Sequence, residues 1–366
     1  MGKIIKIILA ILAAGLLLLL LSPVISLFVS RPLTNHAYYR LFYHVIADKE
    51  TAGAGKAEEK VLRLFQYVID HEYAQGAPYE YKPLESLIYG EAYCDFQART
   101  LNALLGVAAI PSRYAMLLDK DGVSPHTLNE IYLNGKWCIF DTTTNIIFKD
   151  DKASHFSLQE LSDHPDLIGN QKKMIALKRY EPATYWHLCS WFSRMFPMPA
   201  ALQRSVPTIS QAHILDRIGD GYFKLFKRRF FNAYQDLYLK FKVRYSGQND
   251  FRLFFMARNY HLAYRQGLAL KYYRALLEKY PQTKFREDAI FFLGMLYFEG
   301  GDFSKMIELY SREHPAKWRN AVYGYLGKAH NLIGNKQASI EAYRKSDIFR
   351  LPTEILEELA IYGRRQ

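Results

Sequence analysis

Cysteine is scarce in this chain. Cys94, Cys138 and Cys189 are the only three in 366 residues, too few and too scattered for a disulfide framework, so at least one stays free. No Cys-x-x-Cys or His-x-x-x-His pair supplies the close ligands from which a zinc site is usually built. Neither a metal nor a cofactor is expected. Polar, aromatic-poor sequence is missing too: half the residues are hydrophobic and 15% aromatic, which excludes a disordered chain. The length suggests two or three domains, each able to bury a core.

Charge is absent from Ile7 to Ser30, "IILAILAAGLLLLLLSPVISLFVS", a run longer than the roughly 20 residues a bilayer crossing needs. A single membrane anchor over residues 1–30 is expected; the alternative, a cleaved secretory signal, has Lys3 and Lys6 as its n-region but no clean small-x-small site after Leu21. Lys3, Lys6 and the amino terminus on one flank face Arg31 and Arg40 on the other, while Lys49 is offset by Asp48 and Glu50. That asymmetry puts the N-terminus in the cytoplasm and the rest outside. A net charge of +12 favours anionic lipid or acidic polymer as partner and, for an exported chain, disfavours nucleic acid.

Beyond the anchor, "KAEEKVLRLFQYVIDHEY" places Val61, Leu64, Phe65 and Val68 on one helical stripe. A second helix begins near Cys94, carries Ala98, Leu101, Leu104, Leu105 and Ala108 at helical spacing, and must stop before Pro111. The period then changes to two. Ser112–Asp119 and His126–Leu133 read as strands, and Asn134-Gly135 is a hairpin signal joining the second to Lys136–Asp141. "FSLQELSDHPDL" starts a short helix, and Tyr185–Pro199 is an aromatic stretch that reads as packing between domains or as a membrane-surface contact.

The C-terminal third repeats. "LGMLYFEGGDFSKMIELY" (Leu293–Tyr310) matches "LGKAHNLIGNKQASIEAY" (Leu326–Tyr343) in register, and an imperfect earlier copy ends at "ALKYYRALLEKYP" with a few residues inserted after Pro281. The pattern resembles the tetratricopeptide repeat and implies at least three helical hairpins over about 250–345, a stacked surface that binds a protein or peptide. Tyr222–Tyr245 interleaves seven basic residues with aromatics: a solenoid helix with a solvated basic face, or a contact with anionic lipid or polymer.

Chemistry centres on "GEAYCDFQART". A cysteine opening a helix lies near unpaired N–H groups and the positive end of the dipole, which favour a thiolate and can hold an oxyanion. A two-residue turn at Asn134-Gly135 sets Leu128 opposite Asp141 and His126 opposite Thr143. His126 and Asp141 are then diagonal neighbours on one face, about 7 Å apart at Cβ, within reach of a hydrogen bond. A general-base histidine and its orienting carboxylate require that placement. Cys138 points to the opposite face and reads as structural, as does Cys189.

With these residues in place, "YCDFQARTLNALLGVAAIPSRYAMLLDKDGVSPHTLNEIYLNGKWCIFDTTTN" resembles the core of the transglutaminase-like superfamily, related in layout to papain-type thiol enzymes. The resemblance implies an α+β transglutaminase-like (papain-like) core followed by all-α repeats, with Cys94 as nucleophile, His126 as base and acid, and Asp141 orienting the imidazole. Its domains are a 1–30 anchor, a 31–180 core, a basic, aromatic 181–249 connector and 250–366 repeats. Ala92 and Ala109 stand where the family often has glycine, which adds strain if either needs positive φ. The expected activity is hydrolysis or acyl transfer at an amide or ester, in a single-pass protein of a bacterial envelope with its soluble part periplasmic. The rival is an inactive scaffold that works through its repeats.

Overall fold

The computed structural model describes residues 4–15, 31–73, 83–117, 124, 126–164, 166–180, 214–244 and 248–363. They fall into two compact units, 1–46 with 210–247 and 47–209 with 248–366.

In the second unit, strands β1 (Ser112–Leu117), β2 (His126–Leu133), β3 (Lys136–Asp141) and β4 (Ile146–Ile147) form one antiparallel sheet in sequential order. Asn134 and Gly135 both take positive φ, 51° and 87°, the two-residue turn whose twist matches the strands it joins. Leu133 therefore pairs with Lys136 and Asn129 with Phe140. One sheet face receives helices Ala57–His71 and Cys94–Val107, with Phe65 edge-on to Phe140 at 5.6 Å. On the other, Ala115, Leu128 and Ile139 share a core with Leu161 and Met174 and, from the far end of the chain, Leu356 and Leu359. Leu128, Leu161 and Leu356 are fully buried, each worth roughly 2 kcal/mol in transfer free energy. Helix Leu158–Asp163 opens with a capping box in which Ser157 and Glu160 satisfy each other's backbone N–H groups.

The Cys94 helix ends at Val107, four residues before Pro111. Ala109 N–H reaches Gly106 O and Ile110 N–H reaches Leu105 O, a Schellman ending that puts Ala109 at φ 58°. Glycine's usual place before Ile-Pro is thus a left-handed site that alanine occupies at a cost of about 1 kcal/mol. Ala92 is buried and has no positive φ.

Three helical hairpins follow: Asn249–Leu262 with Gln266–Lys279, Arg286–Glu299 with Phe303–Glu313, and Arg319–Leu332 with Lys336–Arg344. In the last two, a Cβ on Gly294 would overlap the Tyr310 ring, and one on Gly327 would overlap Tyr343. The close crossing is what requires glycine there. All three first helices end in the same hydrogen-bond pattern, with Tyr264, Gly301 and Gly334 in the left-handed region. That alignment brings Tyr273 level with Tyr310 and Tyr343 and gives the first copy a longer period than the other two.

The hairpins grip the segment that leads into the Cys94 helix. Arg258 donates from Nε to Ile88 O at 2.9 Å and from an Nη to Leu87 O at 2.6 Å, filling orphan carbonyls at the end of helix Pro83–Tyr89. Its guanidinium lies 3.5 Å over the Phe292 ring. Phe291 stacks on Trp318 at 4.5 Å, and Tyr73 meets both edge-on. Lys328 pairs with Asp70 at 2.7 Å.

In the first unit, helix Ile214–Arg244 is a single run of 31 residues, about 46 Å long, rather than part of a repeat hairpin. It lies antiparallel to the start of helix Arg31–Glu50. Tyr238 donates to Asn35 Oδ1 at 2.9 Å, Gln235 reaches the Tyr38 hydroxyl, and Phe231 meets Phe42 at 5.4 Å. Tyr38 stacks on Tyr238 at 3.7 Å. Asp220 takes two hydrogen bonds from Arg40 and one contact from His44. Burial works against that carboxylate, and these partners outweigh it, holding Asp220 well below its ordinary pKa.

The expected membrane-spanning helix is not found among the described residues. Residues 4–15 are helical with apolar side chains such as Ile7 and Leu12 exposed, but twelve residues span only about 18 Å, and no described helix is long and apolar enough to cross a membrane. Residues 16–30 lie outside the described residues, as do the Asp121-Gly122 turn, the Tyr185–Pro199 stretch and Cys189.

Candidate active site

Cys94 is the first residue of its helix and partly buried. Tyr93, at the N-cap, gives the first-turn amides no side-chain hydrogen bond, so the positive end of the helix stays turned toward the sulfur.

His126 opens β2 and Asp141 closes β3, and both are almost wholly buried, 2% and 0% exposed. The register carries them to diagonal positions, and His126 Nε2 lies 3.1 Å from Asp141 Oδ2. Burial pulls the imidazole down. The charge and hydrogen bond of Asp141, joined by a hydrogen bond with Cys94, outweigh it and raise His126 to about 10. With Nε2 engaged by Asp141, the Cys94 interaction falls to Nδ1.

Asp141 is held on both oxygens. Oδ1 accepts the backbone N–H of Thr143 at 3.0 Å and of Thr144 at 3.2 Å, and Oδ2 accepts the Thr144 hydroxyl at 2.6 Å as well as the imidazole. Burial alone would raise this carboxyl; His126 and the Thr144 donors leave it below its ordinary value. The Thr144 turn is fixed in its own right by Lys173, nearly buried, which donates from Nζ to Thr144 O at 2.6 Å and Asn145 O at 3.1 Å. Burial lowers Lys173 to about 7.

Two buried amides lock the helix to the sheet. Gln97, one turn after Cys94, donates to Glu72 O at 3.0 Å and accepts the Thr143 hydroxyl at 2.8 Å. Asn129, three residues after His126, donates to Ala98 O at 2.8 Å and Asn102 Oδ1 at 3.0 Å. Sequence reasoning missed Gln97, Asn129, Thr144 and Lys173. Asn129 left a legible signal, a polar amide on the strand face it shares with Ile131 and Leu133; Lys173 left none.

Cys138 lies on the face of β3 opposite Asp141, buried, with its sulfur 3.6 Å from Lys136 O, and burial pushes its thiol up. Among the described residues no cluster of His, Cys, Asp or Glu could hold a metal ion. A cleft of about 150 Å³ between Tyr73, Tyr325 and Arg350, and another of about 350 Å³ beside Lys149 and Lys173, are lined by none of the three residues.

The structure thus brings His126 into hydrogen-bond contact with Asp141 and into interaction with Cys94, which opens its helix. Residues 45–142 match the transglutaminase-like superfamily. The match includes Cys94, His126 and Asp141, along with Gln97 and Asn129, and stops before the Thr144 turn and Lys173. No curated protein and no solved structure matches the chain. The transglutaminase-like segment is thus followed by a mostly helical region whose hairpins fit a repeat.

Proposed function

We propose that this protein is a membrane-anchored thiol enzyme acting on an amide or ester. The reading rests on one observation: His126, buried, is hydrogen-bonded to Asp141 and flanked by Cys94. An imidazolium there stabilises the thiolate beside it. The sulfur attacks the carbonyl carbon, and the oxyanion that forms lies against the first-turn amides of the Cys94 helix. As the tetrahedral centre collapses, the carbon–nitrogen or carbon–oxygen bond breaks and His126 gives its proton to the departing amine or alcohol. Water or an amine then attacks the thioester, His126 takes the proton of that nucleophile, and the thiolate leaves. Hydrolysis and acyl transfer differ only in which nucleophile arrives.

The uncharged run Ile7–Ser30 supports an anchor, and the flanking charges support an extracytoplasmic, cell-envelope site for the rest. The hairpins, pressed against Asp70, Tyr73, Leu87, Ile88 and Glu91, support a role in holding the Cys94 helix in place beside any role in partner binding.

The test is acylation of the full chain by p-nitrophenyl acetate. A burst of nitrophenol equal to the enzyme concentration, with an acetyl mass on the Cys94 peptide, is expected, and both vanish in Cys94→Ala. A wild-type protein that gives no burst above Cys94→Ala refutes the reading.

A further inference from the structure

The cysteine side of the site and its carboxylate side meet again at a residue far outside the matched segment. Arg350 ends the short 3₁₀ turn Ile348–Arg350, shortly before the last helix, Thr353–Gly363. Its guanidinium reaches one side and its main-chain carbonyl reaches the other.

On the cysteine side, Arg350 Nη2 donates to Ile69 O and, at 2.6 Å, to Glu72 O, carbonyls left over where helix Ala57–His71 ends. Glu72 O is the atom that also accepts Gln97 Nε2 from the Cys94 helix at 3.0 Å. The guanidinium lies 4.5 Å over the Tyr73 ring. Tyr73 in turn holds the main chain just ahead of the cysteine: its N–H donates to Gly90 O at 2.8 Å, and its carbonyl accepts Ala92 N–H at 2.9 Å. The entry to the Cys94 helix and its first turn are both tied to what Arg350 holds.

On the carboxylate side, Asn145 Nδ2 donates to Arg350 O at 2.9 Å, across 205 residues of sequence. Asn145 follows Thr144, whose N–H and hydroxyl hold Asp141, and it takes a left-handed φ of 55°. Lys173 fixes the carbonyls of that turn; Arg350 ties the turn to the helix. Thr143 already meets Gln97 directly at 2.8 Å. One contact between two parts leaves them free to pivot about it, and a second removes the pivot.

We propose that Arg350 is a positioning residue for the thiol chemistry, fixing Cys94 against the His126–Asp141 pair from beyond the transglutaminase-like segment. The role rests on the thiol-enzyme reading, and the experiment keeps the two apart.

The first turnover of p-nitrophenyl acetate by the full chain separates geometry from folding. Its amplitude counts the reactive sites, and its rate constant reads how well each is set. In Arg350→Ala the rate constant should fall about tenfold, inside the roughly hundredfold that a misplacement of about 1 Å can cost, while circular dichroism shows the wild-type fold. Asn145→Gly, which accommodates the left-handed φ and removes the side-chain amide, should slow it to a similar degree. Either change opens the same tie, so the double variant should be little slower than the slower single one. A wild-type rate constant in Arg350→Ala, whatever its amplitude, overturns the role and leaves Arg350 a source of stability alone. A double variant slowed by the product of the single effects overturns it too. If Arg350→Ala does not fold, Asn145→Gly decides, and a wild-type rate constant there has the same consequence. A wild-type chain that gives no burst above Cys94→Ala removes the thiol reading itself, and the role of Arg350 with it.

Discussion

Replacing Asp141 by asparagine tests the chemistry at one atom. Oδ1 accepts two backbone N–H groups, from Thr143 and Thr144, so the amide oxygen of Asn must take that place and the NH₂ must take the place of Oδ2, facing His126 Nε2. Nε2 becomes an acceptor, which leaves the imidazole proton on Nδ1, the nitrogen that meets Cys94. A histidine in that tautomer cannot take the thiol proton, the logic by which the equivalent change disables serine proteases. The imidazolium also loses its partner: raised from 6.5 to about 10, it is favoured by on the order of 5 kcal/mol, and without the carboxylate burial alone makes it neutral. Without that charged partner beside the sulfur, iodoacetamide should alkylate Cys94 several-fold more slowly in Asp141→Asn. Peptide-resolved mass spectrometry reads the rate, with buried Cys138 as internal control and circular dichroism as the check on folding. A folded variant that alkylates at the wild-type rate would refute the coupling of Asp141 through His126 to Cys94.

Ala109→Gly should stabilise the protein by about 0.5 kcal/mol, because relief of the left-handed alanine exceeds the entropy glycine adds to the unfolded chain; Ala92→Gly, buried and without positive φ, should destabilise it, and thermal melts of the pair read both signs. Glu72 is buried, with Oε1 accepting the Ser86 and Thr100 hydroxyls and Oε2 without a partner, and burial raises it to about 8. Its contribution to stability is full below about pH 4.5 and is lost as pH rises through 8, a fall on the order of 3 kcal/mol by pH 7. Glu72→Gln should flatten that part of the pH profile of Tm, whereas profiles that stay parallel from pH 5 to 8 would show that Glu72 does not titrate late. Gly294→Ala drives a methyl into the Tyr310 ring and should cost about 2 to 3 kcal/mol, while Gly324→Ala, with open space around its Cβ, should be neutral or slightly stabilising; equal denaturation midpoints for the two would disprove the close crossing.

Local chemistry made much of this fold legible. Asn134-Gly135 set one turn type, and the turn set the register, so the approach of His126 to Asp141 followed from counting. Cys94 was found by its place at a helix start, and the last two hairpins by a glycine and a tyrosine that recur together at an offset of thirty-three residues. What stayed hidden depends on contacts made only after folding. The first hairpin has Tyr264 in the left-handed position that Gly301 and Gly334 fill in the others, and its longer period conceals the alignment. Lys173 looks like any surface lysine until helix Lys172–Tyr180 closes over the Thr144 turn. Helix Ile214–Arg244 reads as one more solenoid element because its partner, around Tyr38, lies some two hundred residues earlier and no local pattern links them.

The segment recognisable by family ends at residue 142, yet the apolar side of its sheet is closed by Met174, Leu356 and Leu359. A gene fragment cut at the family boundary would keep all three chemical side chains and lose the roof of their core. What evolution copies as a module and what can stand alone in water are here different lengths of chain, and the tail cannot drift or be exchanged without answering to the sheet beneath it.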